Sequence, residues 1–396
     1  MISISNTVPS QFTPSNTATT QQQPFSSDPT IMVPVPAMPP GATLFALTYV
    51  REKAEGLNAL LQGEKKRADA LLDWQRLRTA SFPGDLVEAA RAERERAAQD
   101  FSEIAGHRTQ LASPDYRAER KLATQQLVNG LRGLTATDTG LVPEQRTQLQ
   151  QKLKAEHSKY PPGIPTKLND SVNKTVFDSD AKLWEKIAEY IGNIGKDYLG
   201  VYENVVAQYT EFYKAYSDIL SKMGGWITPG KDGNSVKLNV TALKNELQKL
   251  HDKYSLPSSA GVLFPAKNSD GNLQGANKDK AEEWADALGL PRSCVHEFPA
   301  GSGKYAVAVD MTPIDTMMRN LGGLGSADND GNVGLDNAKF QAWQSGFKAQ
   351  EENLKTTLQT LTQKYSNSNS LYDNLVKVLS STISACMETC KSFLQG

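Results

Sequence analysis

The chain has 396 residues, with 43 Lys and Arg against 44 Asp and Glu and a formal charge of -1, so it lacks the basic surplus with which a nucleic-acid binder displaces counterions. Only 39% of its residues are hydrophobic and its mean hydropathy is -0.48, which suits helices with a narrow buried stripe and an unfolded tail better than one apolar core. Three cysteines cannot build a disulfide framework, and no apolar run reaches the ~20 residues that span a bilayer.

Residues 1–40 hold eight of the twenty prolines, the run Gln21-Gln22-Gln23 and one charged residue, Asp28. They lack the basic n-region and apolar core of a cleaved signal peptide, and the Pro-rich stretch up to Pro40 cannot hold a helix. Two readings stay open on composition: a disordered tail, or an uncleaved and unfolded export signal.

From about Leu44 to Ala80 the spacing turns helical, with Leu57, Leu60, Leu61, Ala68, Leu71, Leu72 and Leu77 three or four residues apart. Pro83-Gly84 marks a turn, and a second amphipathic run follows from Asp85 to Leu111, so the pair predicts an antiparallel hairpin. The alternating charges from Arg91 to Arg96 read as a solvated helix face. Helical character continues past Pro114 through Leu127 and Leu131, so that residues 41–133 form the expected hairpin domain. Residues 134–176 read as a connector with one short helix from Glu144 to His157, broken by Tyr160-Pro161-Pro162-Gly163.

Two proline-free segments then dominate, 177–223 and 336–396. The first carries an apolar stripe from Leu183 through Tyr198, Val205, Tyr209 and Phe212 to Met223, and the second one from Trp343 through Leu354, Leu358, Leu361 and Tyr365 to Leu394. At 1.5 Å per residue Asp180–Met223 would be roughly 65 Å long and Asp336–Leu394 roughly 90 Å. Helices of that length need a partner, and pairing them antiparallel makes the two stripes a common seam. The intervening 224–335 reads as a small α/β module inserted between them. It contains Asp-Gly-Asn turns at 232, 270 and 330, strand candidates at 235–238, 262–264 and 305–310, and short helices at 241–254 and 278–288. The predicted fold is thus mainly α, a long antiparallel coiled-coil rod with an N-terminal helical hairpin and an inserted mixed α/β domain.

No constellation carries enzyme chemistry. Gly225 to Lys231 matches the start of a phosphate-binding loop, but Asp232 stands where the hydroxyl residue should be, and the motif follows a helix. Asp328-Asn329-Asp330-Gly331 is like part of a calcium loop, yet Ser326 and Asn337 take both anchor positions. The four histidines are scattered, Cys294 and His296 make no zinc site, and Cys386 with Cys390 reads as helix packing. No catalytic residue, metal or cofactor is expected.

Two blocks resemble the hydrophilic needle-tip proteins of bacterial type III secretion systems, the SipD/IpaD/BipD family. One runs from Tyr198-Leu199-Gly200-Val201-Tyr202-Glu203-Asn204 through Asp218-Ile219-Leu220-Ser221-Lys222-Met223-Gly224-Gly225-Trp226 to Asn234. The other runs from Asp336-Asn337-Ala338-Lys339 through Trp343-Gln344-Ser345-Gly346-Phe347 to Lys391-Ser392-Phe393-Leu394-Gln395-Gly396. Agreement in the insertion is patchier, and residues 1–180 match mainly in layout. The resemblance implies export through a type III system by an uncleaved N-terminal signal after a cytoplasmic stage. It further implies self-association on the needle subunit, contact with hydrophobic translocators, control of secretion, translocon assembly on a host membrane and, in some members, a response to bile salts.

In the antiparallel model the start of the first long helix and the end of the second lie together, away from the insertion. Ile187, Ile191, Ile194, Ile383, Met387, Phe393 and Leu394 at that end are the expected needle contacts, with the hairpin covering them before assembly as an intramolecular chaperone. A bile-type amphiphile is expected where the hairpin or inserted domain meets the aromatic seam. A secreted coiled-coil effector or adhesin acting through protein contacts is the competing reading.

Overall fold

The structure is a computed structural model that describes residues 40–76, 111–136, 141–160, 180–230, 235–267 and 272–395, with single positions at 88 and 92. The uncharged start at 1–39, most of the second hairpin run, the proline break at 161–165 and the turn at 232–234 lie outside the described residues.

Helix α1 (Pro40–Arg76) buries Leu47, Val50, Ala54, Leu57, Leu61, Ala68 and Leu71, an alternating three- and four-residue spacing that is interrupted once, by buried Glu64. That heptad stripe faces α9 (Asn337–Gln395), the longest helix, along which α1 makes its most extensive contact. Helix α2 (Pro114–Gly133) starts on the Ser113 cap, whose Oγ accepts the Tyr116 amide at 3.1 Å, with Pro114 in the first turn where its missing N–H costs nothing. It packs on α1 and on α4 (Asp180–Asn193). Helix α3 (Pro143–His157) lies on α9.

The first long helix is two α segments joined by a π turn. Helix α4 ends at Asn193, residues Ile194–Leu199 form one π turn, and α5 (Gly200–Met223) continues to the insertion. Tyr209 Oη donates to the Leu354 carbonyl at 3.2 Å and Tyr372 Oη to the Ile191 carbonyl at 3.0 Å, and both bonds fall on one antiparallel register with α9. The second long helix begins where Asp336 Oδ1 accepts the Lys339 amide at 2.8 Å, an N-cap.

The insertion holds two three-stranded antiparallel sheets. One has the order β1 (Ile227–Pro229), β2 (Ser235–Asn239), β6 (Asn332–Asp336), and its Val236, Leu238, Val333 and Leu335 alternate inward. The other has the order β3 (Val262–Phe264), β5 (Tyr305–Ala308), β4 (Val295–Glu297). Helices α6 (Val240–Tyr254), α7 (Lys278–Leu288) and α8 (Thr312–Gly322) complete it. Asn204 Nδ2 on α5 donates to the Leu263 carbonyl at 2.8 Å, and Tyr254 Oη donates to the Glu211 carbonyl at 3.1 Å, so polar bonds tie the insertion to the long helix. Strands β1, β4 and β6, helix α8 and the π turn were not among the expected elements.

Candidate interaction faces

The eight expected seam residues, Tyr198, Val205, Tyr209, Phe212, Leu354, Leu358, Leu361 and Tyr365, are all buried. They do not form a plain two-helix seam. Tyr365 Oη donates to Glu64 Oε1 on α1 at 3.2 Å, and the Tyr198 ring lies edge-on to Tyr160 at 5.1 Å and Tyr202 at 5.2 Å. Helices α1 and α2 share the half of the long pair that carries α4, and the inserted domain packs on the α5 half.

Charged groups are buried where α1 and α2 meet the long helices. Glu64, with no exposed surface, accepts the Ala112 amide, the Tyr365 hydroxyl and, at 3.0 Å, Arg67 Nη1. Burial lifts its carboxyl above the usual range by more than those donors lower it. Arg120 on α2 grips Glu203 on α5 through two bonds, Nε to Oε1 at 2.5 Å and Nη2 to Oε2 at 2.9 Å, with the two side chains only 6% and 1% exposed. Burial works against the Arg120 charge, but Glu203 more than offsets it and holds the guanidinium firmly protonated.

The expected needle contacts Ile187, Ile191, Ile194, Ile383 and Met387 are buried in the chain as it stands. The side chains of Phe393 and Leu394 lie outside the described residues. Helix α2 packs on α4 and α3 on α9 at this end. Arg146 Nη2 pairs with Asp180 Oδ1 at 2.5 Å and Gln145 Nε2 donates to Thr389 Oγ1 at 3.1 Å, so α3 bridges the start of one long helix and the end of the other.

Two clefts remain. One of about 580 Å³ opens beside the seam, with Tyr198, Tyr202 and Leu371 on its apolar side and Lys159 and Lys364 at its rim. The other, about 420 Å³, lies in the inserted domain between His251, His296, Asp310 and Asp315. Among the described residues no three ligating side chains come together to hold a metal ion, and no helix is long and apolar enough to cross a membrane. Burial pushes the Cys294 and Cys386 thiols up to about 12, so neither is a thiolate nucleophile near neutral pH. The Asp328 loop closes on itself, its Oδ1 accepting the amides of Asp330 at 3.0 Å and Asn332 at 2.8 Å.

Buried helical faces tied by hydrogen bonds, with a mixed α/β domain inserted between two long helices, define the architecture of this chain. The family model described as type III secretion systems tip complex components matches residues 81–394, and the chain belongs to that family. It is 53% identical over 284 residues, 72% of this chain and 80% of the relative, to the cell invasion protein SipD of Salmonella typhimurium. It is 47% identical over 217 residues, 54% of this chain and 60% of the relative, to the invasin IpaD of Shigella flexneri. Among solved structures, a pathogenicity island 1 effector protein from Chromobacterium violaceum superposes with a TM-score of 0.69 at 41% identity, covering 87% of this chain and 99% of that one. Membership makes the chain a secreted, structural component of the needle tip and not an enzyme.

Proposed function

We propose that this chain caps the needle as a self-associating tip, holds secretion in check and supports translocon assembly by hydrophobic translocators at a host membrane, after export from the cytoplasm directed by residues 1–40. The α4–α9 end faces the needle subunit, and the mixed domain points away from it. One observation carries this reading. The antiparallel register gathers Ile187, Ile191, Ile194, Ile383 and Met387, all buried, at the end opposite the insertion, where α2 packs on α4 and α3 on α9. The cover then acts as an intramolecular chaperone that is displaced on assembly. Deleting residues 41–133 is the test: sedimentation should show increased self-association or increased needle binding, and unchanged behaviour counts against a displaceable cover. A strain lacking the gene should show deregulated translocator secretion.

A second reading concerns bile-type amphiphiles. The cleft beside the seam supports it, because Tyr198, Tyr202 and Leu371 line it with apolar surface for a sterol face and Lys364 lines it with a cation for the anion, Lys159 being paired with Glu156 at 2.6 Å. Titration of labelled deoxycholate should saturate, and Lys364→Ala should weaken it several-fold; a non-saturating signal removes the idea.

A further inference from the structure

The cleft of about 420 Å³ belongs wholly to the inserted domain. His251 and Tyr254 in the last turn of α6 form one wall, Asp310 and Asp315 at the start of α8 form another, and Leu256 and Met311 give it apolar surface. No Lys or Arg lines it. Asp310 is half-buried, and its Oδ1 accepts the Thr312 amide at 3.0 Å, but no basic side chain pairs with it among the described residues. Its charge adds to burial in pushing the Cys294 thiol up to about 12 and in raising the Tyr209 hydroxyl on α5, so its field reaches into the protein as well as into the cleft. A cation at Asp310 would meet a charge that the chain itself leaves unpaired.

His251 faces other carboxylates, its Nε2 3.4 Å from Asp315 Oδ1 and its Nδ1 3.5 Å from Asp252 Oδ1. Even with His251 and His296 both charged, Asp252, Asp310 and Asp315 stay in excess. The helix ends favour the same sign of ligand. The carbonyl end of α6, the negative pole of its dipole, lies at the cleft. The positive pole, at the start of α8, has little to offer an anion: Thr312 gives its amide to Asp310, Pro313 has none, and the Asp315 amide bonds the Met311 carbonyl at 3.0 Å. Ser255 Oγ and His251 Nδ1 are buried in the lining without a hydrogen-bond partner among the described residues, and the hydroxyl and a neutral imidazole both accept N–H donors. No three ligating side chains converge there on a metal ion, whereas an organic cation would use the apolar lining as well. We propose that the cleft binds a primary alkylammonium, its head on Asp310 and Asp315 and its stem against Leu256 and Met311. That chemistry is carried by a free amine or by a lysine side chain of another protein.

The test uses the full chain and n-butylammonium chloride in isothermal titration calorimetry at low salt. Binding should saturate, and butyrate, with a matched stem and the opposite charge, should give no saturable heat. Asp310→Asn keeps an acceptor for the Thr312 amide, and Asp315→Asn changes a side chain that is 44% exposed, so both should fold. Each should weaken butylammonium roughly tenfold or more, while Asp279→Asn, on an exposed carboxylate of α7 outside the cleft, should leave it unchanged. Should Asp310→Asn fail to fold by circular dichroism, Asp315→Asn alone decides. No saturable binding, equal binding of butyrate, unchanged affinity in Asp315→Asn, or an equal loss in Asp279→Asn overturns the site. Nα-acetyl-lysine amide separates the two sources. Affinity equal to that of butylammonium supports a partner's lysine side chain in the cleft, and binding of butylammonium alone supports a free amine.

Discussion

Glu64 stands at a position in α1 where the heptad spacing would otherwise put an apolar side chain. Burial lifts its folded-state carboxyl above the ordinary value of 4.5, so the protonated form is the better guest. Its contribution to stability is then fully present below about pH 4.5 and is lost as pH rises through the lifted value. Glu64→Gln keeps an acceptor for the Ala112 amide and removes the titration. The difference in melting temperature between natural chain and variant, followed by circular dichroism from acid to neutral pH, should therefore move in favour of the variant as pH rises. Gly195 offers a second test. A Cβ there would lie 2.8 Å from Tyr372 Oη, so Gly195→Ala should cost about 1–3 kcal/mol in urea unfolding. Part of that cost should disappear in a Tyr372→Phe background, because the two changes share one contact. None of these buried charged positions could be read from the sequence. Glu64, Arg120 and Glu203 look like solvated surface until the helices that desolvate them are in place, and only tertiary partners reveal them.

The long helices are the elements that spacing read well, since a stripe sustained over many turns leaves few alternatives. Helix α9 was expected over 336–396 and spans Asn337–Gln395. Short strands are different. Strand β1 has three residues and a single buried one, Ile227, and strand β4 has none fully buried, so neither shows a period to detect. The π turn is equally silent: the bond beside it, from the Tyr372 hydroxyl on another helix to the Ile191 carbonyl, is a tertiary contact that no local pattern announces. Within the insertion, Gly261 ends the turn before β3 and has its carbonyl bonded by the Val309 amide at 2.8 Å. A side chain at Gly261 would collide with the Tyr254 carbonyl, a backbone atom that cannot step aside. Gly261→Ala should cost several kcal/mol, enough to lose the cooperative unfolding of the inserted domain in calorimetry.

At the scale of the whole molecule, helix α3 bridges the two long helices at the end away from the insertion. Its ion pair, Arg146 with Asp180, keeps 27% and 12% side-chain exposure, so Arg146→Ala should cost only about 1 kcal/mol. The effect should be local: hydrogen exchange of the 143–157 amides should quicken several-fold, and amides of α5 and the facing part of α9 should stay protected. Equal quickening throughout would mean that α3 and the long helices open as one unit. The division of labour was partly legible. The order of hairpin, long helix, insertion and long helix could be read from proline positions and stripes, but the sharing of one half of the long pair with α1 and α2 could not.

Helix α9 is the last of the described elements in chain order, yet α1, α3, α5 and α8 all pack against it. A polypeptide made or threaded from its N-terminus therefore presents every one of these helices before their common partner arrives. Until then their apolar stripes have no permanent home, and closing the structure requires contacts between segments hundreds of residues apart, such as Glu64 with Tyr365. The contacts made by α9 complete the fold, so a chain in which that helix is withheld should leave those stripes uncovered.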